Sequence, residues 1–178
     1  MPFYYVQLGG FISDPFPESL SGWNSIRESQ RTWQDTLPNL GMVSAIDCGL
    51  DDGIHIDTAG LKTLGKRLAA VASGRPAPAL RSAAFEPQNG WLRVSFANVQ
   101  GELQAQGRPA GFTLRDAAGT ELPLIYKIAL DGPDALLKIT DPAGLPGVSL
   151  WYGWGLAPYC NLTDASGAAV PAFGPVSL

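Results

Sequence analysis

The helical period in this chain stops at "GRPAPAL", residues 74–80, and does not return. Before that stretch the apolar residues fall into two β-α periods. "FYYVQLGG" is a continuous apolar strand candidate, and Trp23, Ile26, Trp33 and Leu37 then recur at helical spacing up to Pro38. "MVSAID" (42–47) reads as a second buried strand. Leu61, Leu64, Leu68 and Ala72 mark the face of a second helix, which Asp57 or Thr58 can cap and Gly74 can end. After the Pro-rich stretch, "WLRVSFANV", "GFTLRD", "LPLIYKIAL", "ALLKITD" and "GVSLWYGW" are short strand candidates. They are separated by "QNG", "AAGT", "DGPD" and "AGLPG", and the 21 Gly and 15 Pro supply the turns. The expected fold class is therefore α/β followed by all-β. A parallel sheet with flanking helices fills residues 1–73, a linker 74–80, and an antiparallel sandwich or jelly-roll-like module 81–178.

Charge and hydropathy narrow the function classes. Twelve basic against sixteen acidic residues give a net charge of −4, with no basic stripe to neutralise phosphates, so nucleic acid is not an expected partner. The longest apolar runs, "LAAVA" and "VSLWYGW", are too short to span a bilayer, and no membrane partner is expected. The start "MPFYYVQLGGF" has no basic n-region, long apolar core or small-residue cleavage site, so it reads as a strand rather than a signal peptide. A soluble chain is expected, its compartment left open. Cys48 and Cys160 match no metal motif and make no disulfide framework; buried thiols or at most one bridge are expected, and neither cofactor nor metal.

"DDGIHIDTAG" (51–60) holds the chain's one histidine, His55. It falls in the loop leaving "MVSAID", and in open parallel sheets reactive groups gather beyond the carboxyl ends of the strands. Asp52, three residues earlier, can accept the imidazole Nδ1–H, fixing the tautomer while Nε2 stays free to take a proton from a nucleophile. Gly53 gives the turn backbone freedom. On these residues alone a second reading stands equally: Asp51, Asp52 and Asp57 are loop and N-cap carboxylates beside a surface histidine. A metal site lacks a recognised spacing.

"DDGIHIDTAGLKTLGKRLA" resembles the Asp-x-x-His block of SGNH (GDSL-like) hydrolases, and more closely that of sialate O-acetylesterase-like carbohydrate esterases. "FYYVQLGGF" looks like the strand before that family's W-x-x-(I/L)-R-E-x-Q helix, matched here by Trp23, Ile26, Arg27, Glu28 and Gln30. "LWYGW" followed by "CNLTDASGAAVPAF" is similar to its carboxyl end. The resemblance spans essentially the whole chain. It implies a partial SGNH-type sheet, and it implies that His55 is the general base and Asp52 its orienting carboxylate in metal-free hydrolysis of O-acetyl esters on sugars. The family's nucleophilic serine and oxyanion donors lie in blocks absent from these 178 residues, so the chain resembles the carboxyl half of such an esterase.

Ser13, in "GGFISDPF", is the substitute nucleophile nearest the expected sheet edge, although it lacks a G-x-S-x-G pattern and Ser-Asp-Pro commonly starts a turn. Ser44 and Ser73 fall in a strand and at a helix end. The expected partners are a small ester or acetylated carbohydrate and, for a chain short of its serine, a complementing polypeptide or a second copy. A carbohydrate-binding or interaction module is the alternative: Trp23, Trp33, Trp91, Trp151 and Trp154 can stack on sugars or serve as core anchors.

Overall fold

In the computed structural model, which describes residues 1–12 and 17–178, the element order begins as the periodicity predicts and then departs from it. β1 (Phe3–Gln7) leads to α1 (Pro17–Thr36), β2 (Leu40–Ser44) and α2 (Thr58–Ala72). β1 and β2 pair in parallel, Tyr5 opposite Met42 and Gln7 opposite Ser44. Ten further strands follow: β3 (Ala79–Glu86), β4 (Trp91–Ala97), β5 (Leu103–Ala105), β6 (Phe112–Arg115), β7 (Glu121–Leu122), β8 (Ile125–Asp131), β9 (Asp134–Ile139), β10 (Ser149–Tyr152), β11 (Leu162–Asp164) and β12 (Phe173–Ser177). They form two four-stranded antiparallel sheets, ordered β3-β4-β9-β8 and β12-β10-β6-β7, with β11-β5 as a separate pair.

The α/β expectation, with its SGNH-type parallel sheet, is corrected by this topology. Among the described residues parallel pairing is confined to β1 with β2, and every other sheet pairing is antiparallel. Side chains meet part of the outward backbone of this pair. Gln34 Oε1 accepts the Met42 N–H at 3.1 Å and Arg67 donates to the Ser44 carbonyl at 2.9 Å. On β1, Gln30 accepts from Leu8 N–H at 3.0 Å and donates to the Val6 carbonyl at 3.2 Å. Elsewhere short turns such as Pro87–Gly90 join neighbouring strands, which only antiparallel pairs allow.

The sandwich follows from alternation. In "WLRVSFA" Leu92, Val94 and Phe96 point inward, and Ala135, Leu137 and Ile139 do so from β9, meeting Phe112, Leu114, Leu150, Tyr152 and Phe173 of the facing sheet. Ile46, just past β2, also belongs to this core. A second, smaller cluster of Val43, Ala45 and Leu64, with Val6, Leu68 and Val71, joins α2 to the β1-β2 pair.

Both helices form, α2 packing through Leu64 and Leu68 of its expected face and α1 largely through other residues. Ile26, Trp33 and Leu37 are about half exposed, whereas Asn24 and Arg27 are buried. On α2 the packed positions are Gly60, Leu64 and Arg67, and Leu61 is exposed. Asp57 is the N-cap, accepting the Gly60 N–H at 2.6 Å, and Gly74 takes the positive φ that follows the last turn. Phe3 and Tyr4 are exposed, so β1 is not the buried strand its apolar run suggests. Among the described residues no helix is long and apolar enough to cross a membrane.

Candidate active site

The chain leaving β2 turns back on itself before entering α2. Leu50 and Ile56 form an antiparallel bridge, Asp51 N–H donates to the His55 carbonyl at 2.9 Å, and Asp57 N–H donates to the Gly49 carbonyl at 3.0 Å. Asp52 sits at the head of this turn, and its carboxylate has two separate tasks. Oδ1 accepts the N–H groups of Ile54 and His55, both at 2.8 Å, which closes the turn. Oδ2 lies 2.7 Å from His55 Nδ1. The backbone N–H of His55, then that of Ile54, then the imidazole hold the Asp52 carboxyl well below the usual carboxylate range. An ionised carboxylate only accepts, so Nδ1 carries the proton, and in the neutral ring Nε2 presents its lone pair. Both side chains are exposed, and Nε2 has no hydrogen-bond partner among the described residues.

Gly53 is needed for a different reason from the one its turn suggests. Its φ is not positive; instead, a Cβ there would lie 2.6 Å from the Ile12 carbonyl oxygen. The segment after β1 runs directly against this loop. Ile12 N–H donates to the Gly53 carbonyl at 2.6 Å, a Cβ on Gly9 would meet Ile56 Cδ1 at 3.0 Å, and one on Gly10 would meet Leu50 Cδ1 at 3.5 Å. Residues 8–12 therefore form one wall of the His55 loop.

The other sequence candidates separate clearly. Ser13 lies outside the described residues. Ser44 is buried and donates to Gln7 Oε1 at 2.9 Å, and Ser73 donates to the Ala69 carbonyl at 2.8 Å; neither hydroxyl is bonded to His55. Asp51 takes part through its backbone N–H, and Asp57 is committed to its cap. Both cysteines are free thiols; burial first, and Asp47 next, push Cys48 up to about 11. Among the described residues no group of three or more His, Cys, Asp or Glu side chains is placed to hold a metal ion.

Arg27 and Gln30 turn out to face the sheet. Trp23, Arg27 and Gln30 share one face of α1, at spacings of four and three. Trp23 stacks on Phe11 with ring centroids 4.9 Å apart and donates to the Gly9 carbonyl at 3.0 Å. Hydrophobic periodicity picks out Trp23 of this face but not Arg27 and Gln30, because those anchors are polar. The remaining tryptophans are engaged in part: Trp151 and Trp154 meet edge to face at 4.5 Å with Arg115 over Trp154, and Lys138 and Lys127 lie over Trp91. Trp33 stays half exposed. A groove of about 370 Å³ runs along α2, but its lining includes neither Asp52 nor His55.

No family model matches this chain, and no curated protein matches it either. Among solved structures it is similar to a carbohydrate acetylesterase from Xanthomonas citri, at 29% sequence identity over 97% of this chain with a TM-score of 0.75. The chain spans 40% of the length of that structure.

Proposed function

We propose that this chain contributes the base and its orienting carboxylate to the hydrolysis of O-acetyl esters on carbohydrates. The observation that carries the reading is the Asp52 carboxylate, fixed by two backbone N–H groups and hydrogen-bonded to His55 Nδ1 at 2.7 Å. Likeness to a carbohydrate acetylesterase supports the substrate class. In this reading His55 Nε2 takes the proton of a serine hydroxyl as its oxygen attacks the acetyl carbonyl carbon. The imidazolium, stabilised by Asp52, returns the proton to the departing sugar oxygen. Water then attacks the acetyl-serine with Nε2 again as base, and acetate leaves.

The source of the serine defines a second reading, favoured by one observation: no described hydroxyl reaches Nε2. In that reading the serine is supplied from outside these residues, by a further segment or another polypeptide, and in the first Ser13 is the nucleophile. Hydrolysis of p-nitrophenyl acetate and of acetylated sugars by the purified chain, beside His55→Ala, separates them. We expect His55→Ala to lower kcat at least about a thousandfold where the chain turns over. A fluorophosphonate probe then labels one serine, and mass spectrometry names it. Turnover undiminished in His55→Ala would overturn the assignment. A chain that neither turns over nor takes the label would favour the second reading.

A further inference from the structure

Arg27 is 1% exposed and, among the described residues, has no carboxylate partner. Its guanidinium instead gathers backbone carbonyls from two loops. From the segment after β1 it binds Leu8 at 3.2 Å through Nε, and also Gly9. From the segment after β10 it binds Gly153 at 3.3 Å, Gly155 at 2.5 Å and Leu156 at 3.0 Å. Asn24, one turn earlier on α1, adds the Gly155 N–H at 3.0 Å.

A buried cation is an expensive way to pack a helix on a sheet, and carbonyl dipoles offset its desolvation only when several converge. What arginine offers over an apolar residue is geometric: a planar fork of donors that can bridge two backbone segments at fixed separation. The bridged segments lead to the His55 loop. Phe11 N–H donates to the Leu156 carbonyl at 2.9 Å, and Ile12 N–H donates to the Gly53 carbonyl at 2.6 Å, beside Asp52.

We propose that Arg27 is a positioning residue for the Asp52–His55 pair: by clamping the two loops it holds residues 8–12 as the wall against which the Asp52 turn is set. The role rests on the proposed function for its importance, but its test does not need turnover. With one histidine in the chain, the imidazole ¹⁵N resonances report the tautomer of His55 without ambiguity.

The experiment records those resonances, with His55 neutral, in the wild type, Arg27→Lys, Ile12→Pro and Leu137→Ala. Lysine keeps the charge but loses the fork; proline at the exposed position 12 removes the N–H that reaches Gly53. Leu137→Ala is the control, a core truncation in β9 that lowers stability without touching either loop. We expect Arg27→Lys and Ile12→Pro to lose the Nδ1–H preference part-way toward the spectrum of Asp52→Asn, with Leu137→Ala unchanged. A folded Arg27→Lys with the wild-type His55 spectrum overturns the proposal. Should Arg27→Lys fail to fold, Ile12→Pro decides: a wild-type spectrum there also overturns it. Loss of esterase activity in the His55→Ala comparison tests the other reading separately.

Discussion

Asp52 does at one residue what two residues usually share, closing a turn with one oxygen and orienting an imidazole with the other. The division makes Asp52→Asn a sharp probe. An asparagine carbonyl can still accept the Ile54 and His55 N–H groups, so the turn survives. Its amide would donate to Nδ1, however, and force the proton onto Nε2, the wrong tautomer for a base. We expect kcat to fall about ten-thousandfold in an active complex while the thermal midpoint stays close to that of the wild type. Equal activity in the two proteins would remove Asp52 from the site. The pH dependence has a definite sign. The folded carboxyl is held below its ordinary value of about 4, so its stabilising effect is complete above that pH and is lost as pH falls through the lower, folded value. A carboxyl ¹³C titration should find Asp52 still ionised where an ordinary aspartate is half protonated. The Asp-x-x-His spacing was legible in the sequence because it is local. The need for glycine at 53 was not, because the atom that excludes a side chain belongs to Ile12.

At the scale of elements, α1 was legible as a helix but its packed face was not. Counting apolar residues chose Trp23, Ile26, Trp33 and Leu37; Trp23 packs on Phe11, and the structure leaves the other three half exposed. The reason lies in what α1 packs against: β1 and β2 present backbone donors and acceptors that no further strand takes among the described residues, and polar side chains of α1 satisfy several of them. Gln30 meets Val6 and Leu8, Gln34 meets Met42, and Gln7 in β1 bonds the Arg27 and Ala172 carbonyls through its fully buried amide. Gln30→Ala should therefore cost about 1–3 kcal/mol in urea unfolding, because it strands a donor and an acceptor together. Ile26→Gln, on the face the apolar count favoured, should stay within about 0.5 kcal/mol. The reverse order would restore the apolar face. Strands with clean alternation, β4 and β9, were readable, whereas β3, β5, β11 and β12 were not. β12 contains Gly174 and Pro175, a composition that reads as loop and is tolerated because β12 is an edge strand.

Across the whole molecule, the Pro-rich stretch at 74–80 suggests two units, yet the joints between them are buried. Ile46 enters the sandwich core, Gln7 bonds both the N–H and the carbonyl of Ala172, and Arg67 bridges Asp47 at 2.6 Å to the Gly167 carbonyl at 2.9 Å. Arg27 adds the clamp on Gly153, Gly155 and Leu156. Separating the parts would leave these polar groups buried without partners or newly exposed beside apolar surface, and each such group costs about 1–3 kcal/mol. We therefore predict one cooperative unit. Native-state hydrogen exchange tests this directly, because a foldon that opens alone shows its own opening free energy. Leu137→Ala, deep in the sandwich and far along the chain from β2, should lower the protection of Met42–Ser44 amides by the same amount as that of β4, about 2–5 kcal/mol. Protection of β2 that ignores the truncation would make residues 1–73 a separate thermodynamic domain, with the His55 loop governed by that smaller unit alone.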